Sequence, residues 1–575
     1  MKRCPDCRRD YYDDSLLYCL DDGAALLDGP ASASGRDEPQ TAILHDIALP
    51  SEGKTLEQVA TTERTADFEQ GASDVRNAGH DLRKWLLAGV AMLVVIALSS
   101  FLGYRYLAAV SSGSINSIAV MPFENRSGSP DADYLSDGLT DSLIFRFSQL
   151  PNLKVSPTSS VMRYKGSTSD VAQVAKELNV DAVLNGRLMQ VGDALSISVQ
   201  LIEARSNKVL WAEQYDRKMA DLLATQREIA KTITEKLQLK LSGTEAGVAK
   251  KYTNSSEAYQ LYLKGRFYWA KRTTADMFKA IDSYKQAIAI DPNFALAYAA
   301  MAEVYNSMAK DPDVAPKDAV PFAKTAATRA LELDPSLPEA HSAFGDSLAI
   351  YDWNWPESER ELQKALQLDP NIGYIHLVYS GSYLGPVGKV DQSVTEAERA
   401  VELEPLSLIN NSVLTSAYYY ARQYDKAIAQ GRRSVELDPN FPLSRFWLAM
   451  AFVQSGQYDA AIATASDTPK DSTAYAMSMV ALGNVYARMG KKAEAEQQIA
   501  ALRDLGKTRY TRRYYIALIY ASMGEKDKAF EELEHCFEER DAFLGRMRAD
   551  PSMDPIRNDP RFDAMLRRLN LLSTQ

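Results

Sequence analysis

Three kinds of hydrophobic pattern follow one another along the chain. From Trp85 to Leu102, eighteen successive residues carry no charge. Residues 115–241 alternate short apolar runs, such as Ser117–Phe123, with amphipathic stretches, such as Tyr134–Leu150. From about residue 257 onward the apolar positions keep a helical spacing. The pattern therefore predicts a mainly α protein, in which a small α/β domain precedes a long all-helical region.

The helical region repeats itself every 34 residues. Gly388, Gly456, Gly490 and Gly524 fall on this grid, and Arg422 takes the remaining position. Glycine at such a point ends one helix in a left-handed turn and lets the next helix begin. Small residues recur five positions after and seven positions before each grid point, where two antiparallel helices would approach closely.

A 34-residue period with this pattern resembles the tetratricopeptide repeat. We expect a C-terminal α-solenoid of about eight repeats over residues 257–543, closed by a cap over residues 544–575 that carries MRADPSMDPIRNDPRFDAMLRRLNL. Stacked repeats expose a long concave surface, and the resemblance implies protein or peptide ligands there. A packed spacer without a ligand is the alternative.

The resemblance also implies which residues line the groove, because the first helix of each tetratricopeptide pair faces the concave side. Helix positions one turn apart share a face, so the repeat register gives the candidates. Their mixture of aromatic and apolar side chains predicts recognition of an apolar or helical segment. Packing of the same side chains against neighbouring repeats is the alternative. The predicted partner-binding residues are Ser416, Tyr419, Tyr420, Phe446, Met450, Asn484, Arg488 and Tyr514.

The α/β stretch 115–241 resembles the TolB N-terminal-like domain that bacteria place beside helical repeats. The residues that carry this resemblance are SIAVMPFENRSGSPDADYLSDGLTDSL, LKVSPTSSVMRYKG, VAKELNVDAVLNGRL and LSISVQLIEARSNKVLWAEQYDR. The resemblance implies protein contacts on the outer side of a membrane and no catalytic chemistry.

The uncharged run Trp85–Leu102 is long enough for a transmembrane helix, which we place at residues 85–107. Arg76, Arg83 and Lys84 precede it and Arg105 follows it, which favours a cytoplasmic N-terminus. The sequence therefore predicts a single-pass membrane protein with extracytoplasmic repeats and a disordered cytoplasmic linker over residues 28–82.

Three of the four cysteines crowd the first nineteen residues. Cys4-Pro-Asp-Cys7 and Cys19-Leu-Asp-Asp22-Gly23 look like the two knuckles of a zinc ribbon over residues 1–27. Aspartate oxygen binds zinc as thiolate does, so Cys4, Cys7, Cys19 and Asp22 are candidate ligands of a closed, structural zinc site. An incomplete or lost site is the alternative.

The net charge of −11 argues against a nucleic-acid partner, which would call for a basic face. No catalytic motif is present, and Gly385-Pro-Val-Gly388-Lys389 lacks the first glycine and the Ser/Thr of a phosphate-binding loop. We therefore expect no enzyme but a membrane-anchored scaffold or adaptor that binds protein partners through its repeats. A receptor that relays an extracytoplasmic signal to the zinc-ribbon end is the alternative.

Overall fold

The computed structural model describes residues 2–3, 10–11, 27–28, 115–128, 132–148, 150, 153–167, 170–237, 252–466, 468 and 474–572. The chain forms two compact units, Met1–Phe101 and Leu102–Gln575. In the first unit, the described residues are three short strands, β1 (Lys2–Arg3), β2 (Asp10–Tyr11) and β3 (Leu27–Asp28). β1 pairs antiparallel with both of the others. The zinc candidates Cys4, Cys7, Cys19 and Asp22, and linker residues 29–82, lie outside the described residues.

The membrane localisation predicted from the sequence is corrected by the structure. Within the described part of the chain, every helix is too short or too polar to cross a bilayer. The longest of them, Pro316–Leu333, carries charged side chains such as Lys317, Lys324 and Arg329, whose burial in the hydrocarbon core of a bilayer is unfavourable. The expected span 85–107 lies outside the described residues. We therefore do not retain the single-pass membrane localisation or its topology.

A mixed sheet with helices packed on it forms the first part of the second unit. Its strands are β4 (Ser117–Val120), β5 (Glu124–Asn125), β6 (Lys154–Val155), β7 (Ala182–Val191), β8 (Ala194–Glu203) and β9 (Lys208–Lys218). The strand order is β6-β4-β7-β8-β9, and β5 also pairs with β7. β4 is parallel to β6 and β7, and its residues Ile118, Ala119 and Val120 are fully buried, as expected for a central parallel strand. β7, β8 and β9 form an antiparallel meander.

The helices of this part are α1 (Asp133–Ser148), α2 (Thr158–Met162), α3 (Val171–Leu178) and α4 (Leu222–Lys236).

Sixteen helices follow, and they form eight antiparallel pairs over the described residues 256–538. The pairs are α5 (Ser256–Ala270) with α6 (Thr274–Ile290), α7 (Ala295–Met308) with α8 (Pro316–Leu333), α9 (Pro338–Ser347) with α10 (Trp355–Leu368), α11 (Gly373–Val378) with α12 (Val390–Leu403), α13 (Leu408–Tyr420) with α14 (Tyr424–Leu437), α15 (Pro442–Gln454) with α16 (Tyr458–Ser466), α17 (Ala474–Arg488) with α18 (Lys492–Leu505), and α19 (Arg513–Ser522) with α20 (Lys526–Glu538).

The turn inside each of the later pairs has the left-handed conformation that the sequence grid predicts. Gly456, Gly490 and Gly524 have φ of +77°, +74° and +73°. Arg422, the non-glycine member of the grid, adopts φ +60° all the same. Its guanidinium donates two hydrogen bonds to the Asp554 carboxylate, at 2.6 and 2.8 Å, which holds the side chain in place.

Two first helices end in π-helical turns, Leu348–Asp352 after α9 and Tyr379–Leu384 after α11. A π turn absorbs an extra residue without breaking the helix. The left-handed residues Trp353 and Gly388 are 35 positions apart, one more than the spacing of the later pairs. The π turn of α11 therefore absorbs the one extra residue of this pair.

Residues 541–572, which we call the closing segment, return from the last pair to the earlier ones. They contain two 3₁₀ turns, Leu544–Arg548 and Pro551–Ile556, and helix α21 (Pro560–Arg568). The indole Nε1 of Trp355 donates to the Leu569 carbonyl at 2.6 Å, more than 200 positions away. The array is thus closed on itself, with the closing segment packed inside it.

Candidate ligand-binding cavity

A cavity of about 180 Å³ lies inside the closed array. Its walls come from first helices of several pairs and from the closing segment. The lining residues that bear on its chemistry are Arg272, Lys310, Tyr374, Ser380, Ser382, Ser412, Ser416, Tyr420, Phe446, Trp447, Tyr515, Phe543 and Arg546. Small hydroxyl residues and aromatic rings thus line the same space.

Small side chains on the π turn and on α13 leave this space open. Ser380 and Ser382 belong to the π turn, where Ser380 donates to the Ser393 carbonyl at 2.7 Å. Ser416 lies on α13 and donates to the Val413 carbonyl at 2.8 Å. Because each of these two hydroxyls is bound to its own helical hairpin, Ser380 and Ser416 present little bulk to the cavity.

Aromatic rings form another part of the wall. Trp447 meets Tyr420 and Phe446 edge-on, with ring centroids 5.5 and 4.9 Å apart. Tyr515 lies 6.3 Å from Phe446. Aromatic pairs in such arrangements stabilise each other and hold their rings at fixed positions. The wall is therefore a preformed apolar surface.

Three cationic side chains face the cavity. The Lys310 ammonium is paired with Asp346, at 2.7 Å, and Asp346 is almost fully buried. The guanidinium of Arg272 stacks on Trp269 at 3.7 Å, and that of Arg546 stacks on Phe543 at 4.1 Å. Neither arginine forms an ion pair with a carboxylate of the described residues.

The electrostatics show that these cations are close to one another. Burial lowers the pKa of Lys310, and the positive charges of Arg546 and Arg272 lower it further, while Asp346 opposes this. Asp311, the one carboxylate among the lining residues, accepts bonds from Thr274 and the Asp313 amide. The wall therefore carries an excess of positive charge.

Three of the residues predicted to bind a partner line this cavity: Ser416, Tyr420 and Phe446. Tyr419 and Tyr514 are buried instead against the closing segment, where both hydroxyls donate to Asp550, at 3.2 and 3.4 Å.

The other three predicted residues lie away from the cavity. Met450 is buried within the array. Asn484 is buried as well and donates to the Val480 carbonyl at 2.9 Å. Arg488 is exposed at the end of α17. The repeat register assumes an open groove, and much of that groove is filled by the chain itself.

Sequence reasoning did not find the cationic side of the cavity. Arg272 follows α5 in a left-handed turn, with φ +56°, outside the grid that begins at Gly388. Arg546 belongs to the closing segment, and nothing local in the sequence brings it near Tyr420. An aromatic run before a turn, such as Phe267-Tyr268-Trp269, is the one available signal near Arg272.

A smaller cavity of about 40 Å³ lies where α1 meets α5, α7 and α9. Arg266 pairs there with Asp141 at 3.1 Å, and Ser142 is hydrogen-bonded to Tyr259. Burial raises the pKa of Glu339, which lines this space, to about 7. These contacts fix the α/β domain on the first repeats.

Comparisons with known proteins cover parts of the chain. The family model described as "HilA/YgeH-like transcriptional regulator, second domain" matches residues 114–235. A protein of Rhizobium meliloti (strain 1021) named "Putative adenylate cyclase 3" is 32% identical over 235 residues, 40% of each chain. The transcriptional regulator HilA of Salmonella typhimurium (strain LT2) is 23% identical over 236 residues, again 40% of each.

The chain thus spans two fifths of the length of these curated relatives. Among solved structures, it is similar to YrrB, described as a TPR protein with an unusual peptide-binding site. The identity is 18%, and the alignment covers 34% of this chain and 91% of that one with a TM-score of 0.24. The resemblance of residues 115–241 to the TolB N-terminal domain stays a prediction. The helix pairs themselves establish that the C-terminal part is a tetratricopeptide-like helical array.

Proposed function

We propose that this chain is a non-enzymatic protein-interaction scaffold that binds an apolar or helical segment of a partner protein in its interior cavity. The observation that supports this most directly is the preformed aromatic wall of Tyr420, Phe446 and Trp447 beside unfilled space. Aromatic side chains held rigidly in a desolvated pocket are typical anchors of protein interfaces.

The closure of the array limits the length of the partner segment that can bind. The closing segment fills the groove around Tyr419 and Tyr514, so a long helix along the whole concave surface does not fit. A short segment whose apolar side chains enter the cavity does fit. The partner is therefore recognised by a few anchoring residues rather than by a long interface.

The substitution Ser416→Leu tests this proposal by filling the cavity without removing an aromatic ring. The matched control is Ser455→Leu, since Ser455 also bonds the carbonyl three residues before it, at 3.1 Å, and does not line the cavity. Peptides selected from a displayed random library against the full chain provide the ligand.

We expect Ser416→Leu to weaken binding of the selected peptides at least tenfold, and Ser455→Leu to leave it unchanged. Circular dichroism must show the same helix content for both variants. Equal affinity of wild type and Ser416→Leu, with both folded, would show that the partner binds elsewhere.

A second candidate function is a sensor module that passes on the presence of a ligand. Two curated relatives with different names, an adenylate cyclase and a transcriptional regulator, match this chain over about 235 residues each. A shared module joined to different outputs is typical of signal input. Ligand-dependent amide exchange outside the cavity would favour the sensor, and unchanged exchange would favour the scaffold.

We also propose a structural zinc site in the first unit, with Cys4, Cys7, Cys19 and Asp22 as ligands. In support, β1 and β2 pair antiparallel, with Lys2 opposite Tyr11 and Arg3 opposite Asp10, and thiolate and carboxylate groups are ordinary zinc ligands. The full chain should contain about one zinc per molecule, lose it in Cys7→Ser, and hold it more tightly in Asp22→Cys. A metal-free wild type after incubation with zinc would contradict this.

A further inference from the structure

The interior cavity combines two kinds of wall that suit one kind of ligand. Its lining includes the cationic side chains of Arg272, Lys310 and Arg546 and the aromatic rings of Phe446 and Trp447. Its volume of about 180 Å³ is similar to the roughly 150 Å³ of an apolar protein cavity that accommodates benzene, so a single ring with a small substituent fits.

The cationic side is only partly neutralised. Asp346 pairs with Lys310, and Asp311 accepts hydrogen bonds from the Thr274 hydroxyl and the Asp313 amide rather than from a cation. The next carboxylates near Arg272, those of Glu303 and Glu404, act on it electrostatically but form no ion pair with it in the described structure. Arg272 and Arg546 are partly buried, and a charge that has lost part of its hydration is stabilised by an opposite charge, so an anion between them would be stabilised.

The two guanidinium groups are also held ready for a ligand. Each is stacked on an aromatic ring, Arg272 on Trp269 and Arg546 on Phe543, which fixes the plane from which its N–H groups project. Planar guanidinium groups match carboxylate and phosphate oxygens in pairs. Little side-chain entropy is then lost when an anion binds.

We propose that the cavity binds an amphipathic anion, in which a carboxylate or phosphate group lies against Arg272 and Arg546 and an attached apolar group packs on Phe446 and Trp447. This inference rests on the proposed function, because it uses the same cavity, and it further specifies that the ligand is negatively charged. The anionic group comes either from a free small molecule or from the bound segment of a partner.

Three small probes test the proposal on the full chain by calorimetric titration at constant ionic strength. Phenylacetate and phenyl phosphate carry the anion, and phenylacetamide is their neutral counterpart. We expect at least one anion to bind tenfold or more tightly than phenylacetamide. The better of the two anions identifies the headgroup.

The variants Arg272→Gln and Arg546→Gln should each weaken anion binding about tenfold, because one charge-assisted pair contributes about that much. Arg546→Lys keeps the charge and should retain more affinity than Arg546→Gln. The control is Arg540→Gln. Arg540 also follows a helix with φ +56° and stacks on a tryptophan, Trp353, at 4.7 Å, but it does not line the cavity.

Equal binding of phenylacetamide and the anions, or no binding of either anion, would overturn the proposal, and both comparisons need only the wild-type chain. An equal loss in Arg540→Gln would overturn it as well. The two proposals can fail separately. If neither anion binds but Ser416→Leu still weakens binding of the selected peptides, the anion proposal fails and the scaffold proposal holds. If the anions bind but Ser416→Leu leaves peptide affinity unchanged, the scaffold proposal fails and the anion proposal holds.

Discussion

Arg512 and Asp541 form a buried ion pair at the junction between the last helix pair and the closing segment. Nη1 of Arg512 lies 2.8 Å from Oδ1 of Asp541, and the two side chains are 0% and 1% exposed. Nη2 of the same guanidinium donates to the Ala309 and Asp311 carbonyls, at 3.1 and 3.2 Å. One arginine thus joins the second repeat, the eighth repeat and the closing segment.

We expect Asp541→Ala to destabilise the protein by about 3–5 kcal/mol, because it leaves the Arg512 charge buried without its partner. Urea unfolding followed by circular dichroism measures this. The control Asp504→Ala removes an ion pair with Lys507 whose side chains are about three-quarters exposed, and it should change the unfolding free energy by less than about 1 kcal/mol. Similar costs for the two variants would refute the role given to burial.

The closing segment is also held by the indole of Trp355. Trp355→Phe keeps a ring in the core but removes the donor to the Leu569 carbonyl, which should cost about 1–3 kcal/mol. Trp211→Phe, on the edge strand β9, is the control and should cost less. A smaller loss at Trp355 than at Trp211 in the same urea titration would show that the hydrogen bond does not secure the segment.

Substitutions at two glycines distinguish destabilisation by backbone strain from destabilisation by steric crowding. Gly490 has φ +74° and open space where a Cβ would stand, so Gly490→Ala should cost about 1 kcal/mol through its backbone alone. Gly483 is helical, but its added Cβ would lie 2.4 Å from Cδ1 of Ile519, so Gly483→Ala should cost about 1–3 kcal/mol. When Ile519→Ala is also present, Gly483→Ala should no longer destabilise the protein, whereas the cost of Gly490→Ala should not change. Unfolding free energies of the three single variants, and of the two double variants that combine Ile519→Ala with each glycine substitution, decide between these causes.

Asp550 gives the closing segment a pH dependence. Burial raises the pKa of Asp550 to about 6, against an ordinary value of 3.8, although Ser552, Tyr419 and Tyr514 donate hydrogen bonds to it. A raised carboxyl pKa favours the protonated form in the folded state. The raised pKa of Asp550 therefore adds about 3 kcal/mol to the free energy of unfolding below about pH 4, and this stabilisation is lost as the pH rises through about 6.

Asp550→Asn should therefore gain stability relative to wild type, by about that amount, as the pH rises from 4 to 7. Asp559→Asn is the control, since hydrogen bonds from Arg561 lower the pKa of Asp559 to about 2. Asp559 thus contributes stability above about pH 4 that is lost on further acidification. The difference in stability between Asp559→Asn and wild type should therefore stay nearly constant between pH 4 and 7. Parallel wild-type and Asp550→Asn curves would contradict the assignment.

Much of the repeat geometry could be predicted from the sequence because its causes are local. The left-handed turns at Gly456, Gly490 and Gly524 follow from spacing and residue type, and spacing alone placed Arg422 among them. The closure could not be predicted in this way. Tyr419 is buried by Asp550 and Ser552, more than 130 positions later, and a repeat register assumes an open groove. The cationic side of the cavity was missed for the same reason.

Closure of the array also changes how the chain must fold. In an open solenoid each repeat touches only its neighbours, so the ends can melt independently and folding can begin anywhere. Here the bonds from Arg512 to Ala309 and from Trp355 to Leu569 join positions more than 200 residues apart. The chain between these positions must lose conformational entropy before the contacts can form, so docking of the closing segment is a slow step of folding. During synthesis, the repeats can stack as they emerge, but their interior cavity is completed only when residues 541–572 have been made.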